Sequence, residues 1–335
     1  MASIKDVARL AGVSAMTVSR TLNNNYPVSA QTREKVLKAV KALDYEPNIM
    51  GRNLRNARSK TVLVAGLGFV EPMLNGIYRA AAQLDYEVIL MHTRHFGKQD
   101  YGRRIKNGMA SGILFMNMME EDIMAEVNRT FSMVQCGSAV NMPNACSVSI
   151  DNEAATYRLT EQLLQQGCRR IALVSSGAED IMLQMTISRR KGFLKALADN
   201  RVEVDPRFLV HCNFLRNDFI QAVQIADRFA ALPPDEQPDA VICEQNQIAI
   251  ACLNVFREKG LAVPQQIAVT SLDDQPINEI LRPTLTAIRQ PYEAMGREAM
   301  QLLVAKIEGQ LNVPRQVIFK HELIWRDSTA TRSKP

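Results

Sequence analysis

The sequence predicts an α/β chain in two parts, a small all-helical headpiece followed by a much larger parallel α/β region, and three observations carry that reading. Positive charge is gathered at one end: residues 1–60 hold 11 Lys/Arg against 4 Asp/Glu, a net of +7, while the rest of the chain has a net of −2. Within that basic segment the apolar residues recur at helical spacing around a glycine turn. From Thr61 onward, short β-rich apolar runs alternate with helical stretches. A chain of 335 residues, 47% of them hydrophobic, is long and apolar enough for about two to three folding units. The local excess of cations is what a domain meeting a polyanion requires.

Taken in order, Ser3 can cap a first helix, with Asp6 as its acidic capping-box partner three residues on. That helix carries Val7, Ala8 and Leu10 and ends at Gly12, where a sharp turn needs positive φ. Ser14 caps a second helix, about Ala15 to Leu22, which buries Val18 and Leu22 and shows Ala15, Met16, Ser19 and Arg20 on its other face. A short helix, a glycine turn and a capped helix form the layout of a helix-turn-helix, whose second helix enters the DNA major groove. A third helix begins after Ser29 and runs to about Leu43, closing a three-helix core with Val36, Val40 and Leu43. Its Lys35, Lys38 and Lys41 share an exposed side, read equally well as a solvated face or as part of the basic patch.

Three stretches make the headpiece resemble the lac repressor (LacI/GalR) family closely and almost without gaps. They are Ile4-Lys-Asp-Val-Ala-Arg-Leu-Ala-Gly-Val-Ser-Ala-Met-Thr-Val-Ser-Arg20, then Val28-Ser-x-x-Thr-Arg, then Leu43-x-Tyr45-x-Pro47-Asn48. The resemblance implies that Ser14, Thr17, Asn23, Ser29, Thr32, Tyr45 and Asn48 contact phosphates or fix the docking, with Ser3 and Ser19 beside them. Such contacts set register without reading sequence. It places Ala15, Met16 and Arg20 at base-reading positions. Arg20 can bond a guanine bidentately, and Ala15 and Met16 offer apolar contact, for instance to a thymine methyl. After Pro47-Asn48, the segment Ile49-Met-Gly-Arg-Asn-Leu-Arg-Asn56 resembles the family's hinge helix, with Leu54 as the minor-groove wedge between Arg52 and Arg55. Gly51 stands where relatives usually carry Ala, which weakens an isolated helix by about 0.5–1 kcal/mol. An ordinary polar linker is the plainer reading of the same residues.

Beyond the headpiece, Thr61–Ala65, Tyr86–Leu90, Gly112–Phe115, Arg170–Val174, Asp239–Cys243 and Gln266–Thr270 read as buried strands. Ala154–Gln166, Ser188–Ala198, Phe219–Ala231 and Ile248–Lys259 read as the helices between them. Ligands in such folds sit beyond the carboxyl ends of the strands. Val148-Ser-Ile-Asp-Asn152, Arg189-Arg-Lys-Gly-Phe193, Leu272-Asp-Asp274, Pro283–Pro291 and Leu323–Thr329 resemble the family's two-subdomain sensor, which is related to periplasmic sugar-binding proteins. The implied division is a helix-turn-helix domain at 1–46, a hinge at 47–60 and a sensor at 61–335, whose chain crosses between subdomains near 150–160, 288–291 and 319–322. Asp151, Arg189, Phe214, Asn246 and Asp273 are then expected to line a cleft for a carbohydrate-like effector, where carboxylate, guanidinium and amide groups bond hydroxyls and an aromatic covers an apolar face. The plainer alternatives are that Asp151 caps a helix beginning at Glu153 and that Arg189 forms half of a surface pair. The family's loop after the first sensor strand is replaced by Gly66-Leu-Gly-Phe-Val-Glu-Pro-Met73, leaving Phe69 and Glu71 as its candidates. Residues 92–111 are also shorter and less apolar than is usual.

Other functional classes find little support. Gly66-x-Gly68 follows a strand, yet Glu71 occupies the third glycine position of a dinucleotide fingerprint. His92-x-x-His95 lacks companion ligands for a metal, and no Gly-x-Ser-x-Gly elbow is present. The expectation is therefore a regulator rather than an enzyme, with no cofactor and no metal. The six cysteines are scattered without a Cys-x-x-Cys pair, as in a reduced compartment. The N-terminus has no apolar signal region and no run suits a membrane, so a cytoplasmic site is expected. The implied partners are palindromic double-stranded operator DNA, a small-molecule effector and a second copy of the chain. The resemblance implies pairing through the subdomain faces, and because Arg326–Pro335 shows none of the leucine heptads that make tetramers in some members, a homodimer is expected. The alternative is a sugar-binding protein without a DNA function; a gel shift separates the two.

Overall fold

The computed structural model describes residues 3–23, 28–45, 59–66, 68–93, 110–116, 121–138, 142, 145–176, 184–213, 219–311 and 313–329. The chain divides into two compact units, Met1–Ser59 and Lys60–Pro335.

In the first unit, α1 (Ile4–Ala11), α2 (Ala15–Asn23) and α3 (Ala30–Ala42) pack around Val7, Ala8, Ala11, Val18, Val36 and Ala39. The Asp6 carboxylate accepts from the Ser3 backbone N–H at 3.0 Å and from its hydroxyl at 2.7 Å. These bonds hold the Asp6 carboxyl below its ordinary pKa. Gly12 ends α1 at φ 66°, and the Val13 N–H returns to the Ala8 carbonyl at 3.0 Å. Ser14 and Ser29 cap the next two helices, accepting from the backbone N–H groups of Thr17 (3.1 Å) and Thr32 (3.3 Å). Leu22 packs against the core only partly; Thr21, its hydroxyl turned back to the Thr17 carbonyl, is the buried residue there.

The second unit holds two six-stranded sheets of the same design. The N-lobe sheet has the order β11-β5-β4-β3-β1-β2, from β1 (Thr61–Gly66), β2 (Glu87–His92), β3 (Gly112–Met116), β4 (Ser132–Cys136), β5 (Cys146–Ile150) and β11 (Gln316–Phe319). The C-lobe sheet has the order β12-β10-β9-β8-β6-β7, from β6 (Ile171–Ser176), β7 (Leu209–Cys212), β8 (Ala240–Cys243), β9 (Ala268–Ser271), β10 (Thr286–Arg289) and β12 (Glu322–Ile324). Its β12 runs antiparallel to β10, whereas the equivalent β11 runs parallel to β5. The chain passes between the sheets three times: through α6 (Asn152–Gln165) after β5, through α10 (Tyr292–Ile307) after β10, and between β11 and β12.

The unbroken apolar runs follow from burial on both faces. Val62 and Val64 of β1 face one core, and Leu63 and Ala65 face another. The first core is continuous across both lobes. It is formed beneath α4 (Glu71–Gln83), α6, α7 (Gln184–Asp199) and α10. The outer faces are covered by α5 (Glu121–Thr130) on the N-lobe, and by α8 (Phe219–Ala230) and α9 (Asn246–Glu258) on the C-lobe. One expectation fails here. The run Tyr86–Leu90 reads as a buried strand, but among the described residues β2 is an edge strand paired with β1, with Ile89 and Leu90 exposed. An apolar run does not reveal whether its strand lies at the centre or the edge of a sheet. All six cysteines are buried free thiols, and burial pushes Cys136 up to about 12. No helix among the described residues is long and apolar enough to cross a membrane.

Candidate functional site

The headpiece presents α2 as its most available reading surface. Met16 is 63% exposed, Arg20 is exposed and Ser19 half-buried. Ala15 is partly committed to the core, as is Tyr45. Ser14 and Thr17 share a hydroxyl contact of 2.9 Å at the start of α2, and Ser29 and Thr32 one of 2.8 Å at the start of α3. These four residues therefore build the two helix N-termini, whose hydroxyls and positive dipole ends suit phosphate oxygens. Asn48, Arg52, Leu54 and Phe214 lie outside the described residues, as does the side chain of Asn23.

In the second unit the strand order reverses at β1, between β2 and β3, and at β6, between β7 and β8. Crevices for ligands open beyond the carboxyl ends of strands at such reversals. The C-lobe gathers polar side chains at that edge. Arg189, on α7, is 3% exposed and so is not half of a surface pair. Its Nε donates to Asn152 Oδ1 at 3.0 Å, and its Nη1 lies 4.0 Å from Glu244 Oε2. Asp273, just beyond β9, accepts from the Gln290 amide at 3.1 Å and from the Tyr292 hydroxyl. Burial, then the Asp273 carboxylate, pushes the Tyr292 phenol well above its ordinary pKa, and Arg189 pulls it down. Tyr292 thus senses both charged side chains expected in the cleft. Asn246 opens α9 and is 1% exposed.

The remaining expected residues are placed differently. Asp151 is exposed and caps α6, accepting from the Ala154 N–H at 2.9 Å; the helix starts at Asn152, one residue earlier than expected. Phe69 is half-buried, packed on the core with its ring edge-on to His92 at 6.2 Å, and Glu71 is exposed in the first turn of α4. Between β11 and β12, His321 is half-buried beside the first crossover. Burial and the Arg158 charge lower its pKa, against an opposing effect of Asp151.

Sequence reasoning missed Asn152, Glu244, Gln290 and Tyr292. Glu244 had a visible signal, since an acid directly follows the apolar run Asp239–Cys243. Gln290 lies within Pro283–Pro291, a stretch noted only for its resemblance, and Tyr292 directly follows it.

Residues 3–48 match the family model "Bacterial regulatory proteins, lacI family", and residues 160–329 match the "Periplasmic binding protein-like domain". The chain is 30% identical to the HTH-type transcriptional regulator RegA of Clostridium saccharobutylicum, over 98% of this chain and 99% of that one. Among solved structures it is similar to a transcriptional regulator CelR–cellobiose complex, with a TM-score of 0.71, 28% identity, and 98% and 100% of the two chains covered. It shares the fold of the lac repressor dimer bound to operator and the anti-inducer ONPF, with a TM-score of 0.82, 24% identity, and 98% and 99% covered.

Proposed function

The chain belongs to the lacI family of bacterial regulatory proteins and is a DNA-binding transcriptional regulator rather than an enzyme; from that premise we propose that it holds a palindromic operator as a homodimer and alters its grip when a carbohydrate-like effector enters the C-lobe crevice. The observation that carries the sensing half is the cluster of Arg189, Asn152 and Gln290, all buried, with the half-buried Asp273 and Tyr292 beside them beyond the carboxyl ends of the strands. Its hydroxyl, amide, carboxylate and guanidinium groups match the donors and acceptors of a polyhydroxylated molecule. The related regulator solved with cellobiose supports the same ligand class.

In this reading the protein works as a repressor in the cytoplasm. Arg20 and Met16 read bases, and the helix N-termini at Ser14 and Ser29 hold phosphates. Leu54 would act as the wedge that couples the paired hinges to DNA bending. Pairing is supported by apolar side chains left in solvent on the C-lobe. Phe219, Ile220 and Val223 are exposed on α8, and Ile277 and Ile280 in the turn after β9.

The test is selection of duplexes from a random pool, followed by gel shifts with and without neutral sugars. An inverted repeat whose retention changes with one of the sugars is the expected result. A sensor that binds sugar while the full chain selects no duplex would favour a binding protein without a DNA function.

A further inference from the structure

Glu244 occupies the place in the C-lobe where the strand order reverses. It directly follows β8, and its carboxylate reaches across to the end of β6: Oε2 accepts from the Ser176 N–H at 2.9 Å and the Ser176 hydroxyl at 3.0 Å. The Thr186 hydroxyl donates to the same oxygen at 3.2 Å. The side chain is fully buried, yet Oε1 has no hydrogen-bond partner among the described residues. Two residues on, Asn246 is 1% exposed, and neither its amide nitrogen nor its amide oxygen has a partner among them. Buried polar atoms are nearly always bonded, because leaving one unmade forfeits its hydration without return. Three such atoms within three residues, at the crevice of a doubly wound sheet, point to a group from outside the chain.

The chemistry of that group follows from what is unmet. Glu244 Oε1 needs a donor, and Asn246 offers one acceptor and one donor group. A hydroxyl, or a pair of neighbouring hydroxyls, supplies both kinds of contact, and an amine satisfies the two acceptors. A phosphate presents oxygens without donors and would set them against the free carboxylate oxygen. Charge points the same way, since Glu244 and Asp273 stand against the single guanidinium of Arg189 within the described cluster. We propose that Glu244 is a specificity-determining residue of the effector site, which selects a neutral or amino-bearing hydroxylated ligand and rejects its phosphorylated counterpart. This rests on the small-molecule reading above.

Calorimetric titration of the full chain with matched compounds tests it: glucose, glucosamine and glucose 6-phosphate; cellobiose; adenosine and adenosine 5′-monophosphate. A neutral or amino compound is expected to bind, with its phosphorylated partner weaker by at least about tenfold, the loss of roughly one good polar contact. Glu244→Gln, which replaces the free acceptor by a donor, should weaken the neutral binder and narrow that gap. The wild-type comparison stands even if the variant folds poorly. A phosphorylated compound bound as tightly as its parent would overturn the role of Glu244 and leave sensing intact. A panel in which nothing binds would overturn both.

Discussion

Arg20 is the residue with the most direct consequence for DNA. It is exposed on α2, next to the exposed Met16. If it forks to a guanine, Arg20→Ala should cost about 1–3 kcal/mol at one base pair of each half-site and relax the preference there. Competition gel shifts with single-base operator variants measure this, and uniform weakening across all variants would reassign Arg20 to the phosphates. His321 yields a prediction in pH. Burial and Arg158 lower its folded pKa below the ordinary 6.5, so the unfolded chain binds the proton more readily. The stability it contributes is present above that ordinary value and is lost as pH falls from it through the folded value. The melting temperature of wild type should therefore drop as the pH falls below the ordinary 6.5, and that of His321→Gln should drop less. Equal slopes would show that other groups govern the acid limb. At this scale the sequence was only partly legible. Capping residues such as Ser14 and Ser29 act on neighbours three residues away and can be read locally. The partners of Arg189 and Asp273 are brought together by the sheet order, and no local pattern announces Asn152 or Tyr292 as members of the cluster.

Among the elements, two helix crossings hold the sensor together through glycine. A Cβ on Gly76 of α4 would lie 2.0 Å from the Glu293 carbonyl oxygen at the start of α10, and one on Gly296 of α10 would lie 2.1 Å from that of Met73. The crossing of α6 and α7 repeats the device, with Gly192 placed 2.1 Å from the Glu153 carbonyl oxygen. Both α6 and α10 carry the chain between lobes, so each crossover helix packs backbone to backbone on the first helix of the lobe beside it. Gly76→Ala should lower sensor stability by about 1–3 kcal/mol or more through overpacking, despite the better helix propensity of alanine. Gly68→Ala, where nothing lies within 4 Å of the added carbon, is the control and should be nearly neutral in the same urea titrations. A stable Gly76→Ala would mean that the two helices separate easily. Periodicity reads the position of α8 well, Phe219–Ala231 against the observed Phe219–Ala230, while Ser188–Ala198 starts four residues inside α7, which begins at Gln184. The glycine contacts were not, because a helical glycine looks the same whether it faces water or another backbone. The edge position of β2 escaped for a related reason, since sheet order is set by nonlocal pairing.

For the molecule as a whole, the charge split gave the clearest signal in the sequence, with a net of +7 in residues 1–60 and −2 in the remainder. The compact units divide at Ser59 and Lys60. Residues 61–335 alone should keep effector binding and lose operator binding, since the candidate reading surface is on α2; operator retention by that fragment in a gel shift would place the DNA surface elsewhere. The decisive question is whether the crevice and the headpiece are coupled. Operator affinity should be measured by fluorescence anisotropy on the full chain, with and without the sugar that binds the sensor, for wild type and for Asp273→Ala. A coupling of about 1–3 kcal/mol would shift the wild-type affinity roughly 5–150-fold. The Asp273→Ala affinity should stay nearly constant, because the ligand loses a half-buried charged partner. Wild-type affinity unchanged by a saturating sugar would contradict a regulator that senses through this crevice.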